Sequence, residues 1–592
     1  MARSSALRGV SALDLVRQLW AQAQLPSRVL ENTIQRGNVM LINEPSGAGQ
    51  AVRSSFQLTA VAQACCAAIA LAERLRLALE RIKASSAGEA EVERLVLDRV
   101  EVDARHAIAE YVGWTKVHIG QAGKGQMLRE AVATDSEAGR EVLNIDAHAV
   151  ADWDALAGLY RTRPNPHRTV TGVVRIHTNF PHHKLGILQM LNLAPRTARW
   201  TDARIYEDVF AHVERADLQR ELSKWDAFEF EHAAQEAGLC VTAYRSRAEW
   251  EASEMAQALR VWMGDNAAGG SAFRISHIDS PTPTARRRST TSRPDKLRVV
   301  DMSRVIAGPI STRTLAAHGA DVLLLSSARL PNLPLRELDT ARGKRTAFVE
   351  LPPGGSGLTE QMDALLRGAD VVSQAYRPQG LAERGLSAEE VQKIRPGIVY
   401  AELCAFGFTG PWADRRAYDS LTQTACGINY LEGLSYQQHE SATEVGEVEP
   451  KALPVQALDY AAGSLMCFAT LACKCRAILE RINDPSDDEE EMEAKGWKVQ
   501  ISLASTAEWI MSLGQIDGDE AWTTPPQDII PMHDEARLAA ITSSYKVRGI
   551  SQQDVHVLAV RHASLPDATS EADDGLRWTV PSHLGVDRLE WL

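Results

Sequence analysis

Two stretches of this chain, 400 residues apart, are written on one plan, and both are too apolar to face water. Phe56 to Ile82 reads as an Ala-rich helix ending Leu79-Glu80-Arg81-Ile82, and Val455 to Ile482 ends Leu479-Glu480-Arg481-Ile482. Each is followed by a polar, acidic loop, a short Val-x-Val or Val-x-Ile strand, and another helical stretch, Asp103–Tyr111 and Ser502–Met511. At this offset Asp459 lies opposite Thr59. A duplicated element with a carboxylate in one copy predicts one working site and one structural relic. Convergent Ala/Leu/Glu/Arg patterning is the competing explanation, and the shared tetrapeptide and shared downstream order favour duplication.

At 592 residues the chain exceeds one ordinary core. Hydrophobic content of 45% and charged content of 24% are those of a soluble globular protein. The net charge of -13 argues against nucleic acid as the main partner, and Arg286-Arg287-Arg288 reads as part of a solvated linker. By sequence, no run of about 18 uninterrupted apolar residues offers a membrane span. A cytoplasmic protein is expected; Arg3, Arg8 and Arg17 leave a mitochondrial presequence open, although Leu13–Leu19 already reads as a domain helix. The eight cysteines lack CxxC pairs and read as reduced core residues, with no metal expected.

Ser280 to Lys296 is rich in Pro, Ser and charge and marks a linker. It divides the chain into 1–150, holding the first copy of the repeat, a smaller α+β unit at 151–279, and 297–592. The smaller unit shows a strand at Val170–Ile176, a helix at Leu185–Leu193 and a long helical run at Ala216–Ala237. After the linker, strands are expected at Leu297–Met302, Asp321–Leu325, Arg345–Leu351, Asp370–Gln374 and Ile398–Leu403. Helices fall between them at Ile310–His318, Gly357–Arg367 and Ala388–Ile394, with Ala307-Gly308-Pro309 as a turn. This alternation predicts an α/β fold with a parallel, doubly wound sheet, and ligands of such sheets lie beyond the strands' carboxyl ends. Val305–Ala307 is then well placed for binding, but the turn lacks G-x-G-x-x-G, against a dinucleotide grip.

Asp459 follows Leu453-Pro454-Val455-Gln456-Ala457-Leu458 and precedes the apolar run from Tyr460. An acid there feels the positive helix end and its unpaired N–H groups, which lower a carboxylate's energy and can stabilise an oxyanion. The plainer reading is an N-cap, and Asp419 reads likewise as a cap of Ser420–Cys426.

Taken together these segments resemble the class III CoA-transferase family, the formyl-CoA and carnitine CoA-transferase group. The resemblance rests on Leu297–Pro309, His318–Val322, Arg342-Gly-Lys-Arg345, Asp370–Val372 with Arg377-Pro378, Pro396–Tyr400, Phe406–Pro411, Tyr418–Gly427 and Leu458–Gly463, in order over about 170 residues. Val173–His177 and Trp225–Arg247 resemble the family's small domain, and Val580–Gly585 its closing segment. The chain looks like a rearranged tandem pair, the first copy lacking its nucleotide-binding half and the second its small domain.

The resemblance implies an enzyme that moves CoA between an acyl-CoA and a carboxylic acid, with Asp459 as nucleophile and no permanently bound cofactor. It places Ile306 and Ala307 in the CoA site, Leu351 and Tyr376 around the adenine, and Arg384 at a phosphate. Ser326-Ser327 stand where members often carry a basic residue after the second strand, with Arg329 nearby, and Cys404 stands where some members have lysine. A homodimer is implied too. Two other functions fit this fold: an acyl-CoA racemase, whose histidine is replaced here by Tyr418, and a non-catalytic binder of CoA esters.

Overall fold

Both apolar helices are present, each 27 residues long, at Leu58–Ala84 and Ala457–Asn483. The computed structural model describes residues 10–43, 51–85, 88–113, 118–119, 126–127, 153–168, 170, 172–264, 270–278, 296–351, 359–441, 446–483, 495–523, 529–530, 534–548, 554–563, 565 and 584–592. The expected linker up to 295, the acidic loop 484–493, the helix start at Gly357, and Arg3 and Arg8 lie outside the described residues. The two helices pack against each other in the largest core, which gathers residues from Ala12 to Ala563. Cys475 Sγ lies 3.4 Å from the Ala72 carbonyl, and Glu73 and Arg76 close a buried ion pair of 2.6 Å. The expectation that no segment is apolar enough for a bilayer is corrected: both helices are, yet most of each apolar stretch is buried inside the protein. All eight cysteines are free and buried.

The largest sheet has seven strands and is mixed. Six are parallel: Arg298–Met302, Asp321–Ser326, Lys344–Phe348, Val371–Gln374, Val399–Cys404 and Trp497–Ser502. Ranked along the chain, they lie in the order 3-2-1-4-5-6, and Phe273–His277 adds an antiparallel edge beyond the sixth. Strand order reverses beside Arg298–Met302, so a crevice opens where that strand's exit diverges from the exit of Val371–Gln374.

That exit is pinned by a buried ion pair. Asp301 Oδ2 accepts from Lys344 Nζ at 2.9 Å and from Thr312 Oγ1 at 2.5 Å, while Oδ1 accepts from Ser303 N at 3.0 Å. Lys344 also donates to the Pro309 carbonyl at 2.9 Å. The bend occupies Ser303–Ile306, and the helix starts at Ala307, three residues before the expected Ile310. Pro309 sits in the first turn, where its missing N–H has no partner to lose. Val305 carries φ 73°, an unusual value for a β-branched residue and a sign of local strain at the crevice.

Residues 156–243 form a second core around an antiparallel sheet of Gly158–Arg161, Val173–Ile176 and Val241–Ala243. The expected long helix at 216–237 is two helices, Arg215–Leu222 and Ala227–Glu236. Asp226 breaks the run by capping the second, accepting from Phe228 N at 2.8 Å, a local preference that overrides the apolar period. The expected helix at Leu185–Leu193 begins earlier, spanning Pro181–Met190. Arg247 and Trp250 bind Glu508 at 2.6 and 2.7 Å, joining this side to the helix after the sixth strand.

The Asp459 helix crosses the helix Ala307–Ala317 at Gly463. A Cβ there would stand 2.4 Å from the Ala307 carbonyl oxygen and 2.9 Å from Ile310 Cβ, so hydrogen is the only side chain that fits. Gly463→Ala is therefore expected to destabilise by about 1–3 kcal/mol through overpacking against backbone. Urea denaturation measures it; an unchanged midpoint contradicts the close crossing.

Candidate active site

A cavity of about 830 Å³ lies across the carboxyl ends of the parallel strands. Each strand contributes from its exit: Met302 and Arg304 to Gly308, Leu325 to Ser327, Val349 to Leu351, Ala375 to Arg377, Leu403 to Ala405, and Leu503. Phe180, His182, His183 and Trp200 close it from the smaller unit, and Ala413 and Arg415 to Tyr418 from the loop before the helix Asp419–Ala425. One chain therefore supplies walls from both sides of the segment 279–295.

All six residues singled out in the sequence line this one cavity: Asp459, Ile306, Ala307, Leu351, Tyr376 and Arg384. Arg384 Nη1 donates to the Leu351 carbonyl at 2.6 Å, which fixes the guanidinium beside that strand exit. Ser326, Ser327, Arg329 and Cys404 line it too. Ser327 Oγ donates to Glu350 Oε1 at 2.7 Å, and Arg329 meets Glu350 at 3.6 Å. Burial pushes the Cys404 thiol up, so it is neutral at ordinary pH.

Asp459 stands in the first turn of its helix, which begins at Ala457. The expectation that this helix's N–H donors stabilise Asp459, or that Asp459 caps the helix, is corrected. Asp419 takes them: its Oδ2 accepts from Leu458 N at 2.8 Å and Asp459 N at 3.0 Å. Asp419 therefore caps the neighbouring helix rather than its own, which starts at Asp419 itself. Its Oδ1 accepts from Gln423 Nε2, and Gln423 Oε1 accepts from Asn429 Nδ2 and Leu453 N, both at 3.1 Å. Among the described residues no hydrogen bond reaches the Asp459 carboxylate.

The electrostatics follow from this division of donors. Burial raises the pKa of Asp459, the Asp419 charge raises it further, and Arg336 opposes both. Burial also raises Asp419, against the amides of Asp459 and Leu458, the Gln423 side chain and the charge of Arg175. Asp459 is thus a 7% exposed carboxylate with no hydrogen-bond support, opening onto the cavity.

Tyr418 stacks on His177 with centroids 4.0 Å apart, and burial raises its phenol pKa. Burial pushes His177 down to about 3, His182 to about 4 and His183 to about 2, so all three imidazoles are neutral near pH 7. Sequence reasoning missed Phe180, His182, His183, Trp200, Arg304, Arg336 and Arg416. One signal was available: Phe180-Pro-His-His183 opens a helix directly after a strand-and-turn, a place where side chains converge.

Cys66, Glu110 and His562 bring ligand atoms within 4.8 Å of one another. Glu110 is already engaged there, by Arg313 at 2.8 Å, His562 at 3.1 Å and Ala563 N at 2.7 Å, so the group is an ion-pair junction.

Residues 295–515 match the family described as CoA-transferase family III. Similar proteins include the acetyl-coenzyme A transferase nodX of Hypoxylon pulicicidum, 27% identical over 332 residues, covering 54% of this chain and 50% of that one. A succinate–glutarate CoA-transferase of Agrobacterium fabrum is 33% identical over 156 residues, covering 23% and 38%. The structure of a CAIB/BAIF family protein from Brucella suis aligns with 25% identity over 36% of this chain and 53% of that one, at a TM-score of 0.28. The chain spans half or less of the length of these two curated relatives.

Asp419→Asn tests the division of donors. The amide oxygen still accepts from the helix end while the negative charge is gone. Since that charge raises Asp459, its loss is expected to move Asp459 ionisation to lower pH. Carboxyl-labelled NMR titration of the two proteins reads the shift, and an unmoved or upward shift contradicts the coupling.

Proposed function

We propose that this chain is a CoA-transferase that moves CoA from an acyl-CoA to a carboxylic acid through a covalent intermediate on Asp459. The observation that carries this reading is the Asp459 carboxylate, buried, without hydrogen-bond support and opening onto a cavity across the strand exits. A carboxylate deprived of stabilising donors is more basic, and so more nucleophilic, than one held by a helix end. The family match over 295–515 supports the chemistry.

In this reading Asp459 attacks the thioester carbonyl, the C–S bond breaks, and CoA leaves as thiolate from a mixed anhydride. The thiolate attacks the Asp459 carbonyl, releases the donor's carboxylate, and leaves an aspartyl-CoA thioester. The acceptor carboxylate attacks that thioester, again freeing the thiolate. Attack of the thiolate on the acceptor's acyl carbon then forms the new acyl-CoA and returns free Asp459. Every step exchanges one acyl bond for another, with no net proton or electron change.

The CoA nucleotide is assigned to the strand exits with Ile306, Ala307, Leu351, Tyr376 and Arg384, on a sheet we take as the doubly wound one. The unit at 151–279 is taken as the small domain and 1–150 as the relic of a tandem copy. A homodimer and a cytoplasmic location belong to the same reading; light scattering and fractionation test them. Racemase chemistry is disfavoured because Tyr418 is a neutral phenol and His177 is too weak a base.

Asp459→Ala is expected to lower transfer by at least about a thousandfold, as loss of a covalent nucleophile does. Hydroxylamine with wild type and acyl-CoA is expected to modify Asp459, read by peptide mass. A variant keeping a tenth of the activity contradicts the assignment, and α-proton exchange without CoA transfer establishes the racemase instead.

A further inference from the structure

No described residue before Phe180 lines the cavity, so the first copy of the repeat takes no direct part in it. The helix Ala104–Glu110 of that copy nevertheless runs to the residue after Asp459. Tyr111 caps this helix and stacks its ring on Tyr460, with centroids 5.1 Å apart and planes 24° from parallel. Glu110 reaches the same tyrosine through two side chains. Arg313 donates to Glu110 Oε2 at 2.8 Å and to Asp339 Oδ2 at 2.7 Å, and the Tyr460 hydroxyl donates to that Asp339 oxygen at 3.4 Å. At the 400-residue offset Ile510 and Met511 stand opposite Glu110 and Tyr111, so each copy carries an acid that the other lacks.

Glu110 balances a buried charge. Arg313 and Arg342 are both 1% exposed, and both meet Asp339, Arg342 at 2.8 Å. One carboxylate against two guanidinium groups leaves a positive charge in the core, and Glu110 supplies the second carboxylate. Burial works against its ionised form, but His562, Arg313 and His106 hold it below the usual carboxylate range. His562 Nδ1 at 3.1 Å and Ala563 N at 2.7 Å fix where the carboxylate stands. Such a cluster adds little net stability over an apolar core of equal volume, so its worth lies in the geometry it fixes.

That geometry bears on the nucleophile from two sides. Asp339 belongs to the helix Pro334–Thr340, which also carries Arg336, whose charge opposes the rise of Asp459. Tyr460 follows Asp459 in the first turn of its own helix. Tyr111 acts on that turn by shape alone: its hydroxyl is buried without a partner among the described residues, so the ring makes the contact.

We infer that Glu110 and Tyr111 of the first copy are positioning residues for Asp459, Glu110 through Arg313 and Asp339, and Tyr111 through stacking on Tyr460. The inference rests on the CoA-transferase reading and adds residues from a part of the chain that forms none of the cavity. The first copy has then lost a site of its own and become the support of the other copy's site.

The experiment uses the full chain and measures kcat and KM for one acyl-CoA thioester well below each variant's melting temperature. Glu110→Gln and Tyr111→Leu are each expected to lower kcat at least about tenfold, because a small displacement of a reacting group is costly in rate. KM for the thioester is expected to stay within about twofold, since no cavity wall is touched. Tyr111→Phe keeps the ring and is expected to restore kcat to within about twofold of wild type. If Glu110→Gln does not fold, the Tyr111 pair decides alone. Variants that lower only the melting temperature, with kcat retained, show a merely structural role and overturn the inference. A kcat loss equal in Tyr111→Leu and Tyr111→Phe overturns the stacking.

Carboxyl-labelled NMR titration gives a second readout without substrate. Asp459 is faced by the Asp419 carboxylate, the Arg336 guanidinium and the Tyr418 phenol, none of them altered by these substitutions. A loosened turn lets water reach the carboxylate and relieves the burial that raises it, so Asp459 is expected to ionise at lower pH in Tyr111→Leu and at the wild-type pH in Tyr111→Phe. An unmoved Asp459 in Tyr111→Leu overturns the positioning. If wild type transfers CoA to no acid, the reading beneath falls, and the titration still decides whether these residues hold Asp459.

Discussion

Two backbone amides, those of Leu458 and Asp459, decide what the site can do. They open a 27-residue helix and have no partner within it, so some acceptor must take them. Asp419 takes both, from the neighbouring helix. Asp459 is left with burial and a like charge beside it, opposed only by the field of Arg336. The pair thus splits into a carboxylate held by donors and one without them, the arrangement that sets two acids to different tasks. The held member is rigid because Gln423, Asn429 and Leu453 N close a buried relay behind it.

Holding that pair at the mouth of a sheet takes backbone contact rather than side-chain bulk. Gly463 lets the Asp459 helix press on the Ala307 carbonyl, and Gly308 sits where a Cβ would meet Ser303 Cβ at 2.5 Å and Ala375 Cβ at 2.7 Å. Lys344 and Asp301, both buried, tie the third strand to the exit of the first and to the start of the helix beyond it. Such a pair costs desolvation and adds little net stability, but it permits one geometry of the bend. Val305 holds positive φ within that frame, at the edge of the cavity.

The far wall comes from the smaller unit. Stacking of His177 on Tyr418 and the Arg247 and Trp250 bonds to Glu508 bring it over the strand exits. The wall carries aromatic rings and neutral imidazoles, and Asp459 lines the same cavity.

Much of this was legible in one dimension because its causes are local. Strand and helix alternation after residue 296, the apolar helices and the small residues at 306–308 reflect periodicity and steric demand, which a sequence carries directly. The six residues named from the sequence fall in one cavity because strand exits of a parallel sheet point the same way. What the sequence could not settle was partnership. Asp419 reads as a cap for its own helix, and only the fold, which brings residues 40 apart to 3.0 Å, gives it another. His182, Trp200, Arg304 and Arg416 carry no shared motif, and they meet only when two cores close on each other. Hydrogen bonds and charges act over a few ångströms in space, without regard to chain distance, so periodicity determined the elements while tertiary packing decided which carboxylate was held and which left bare.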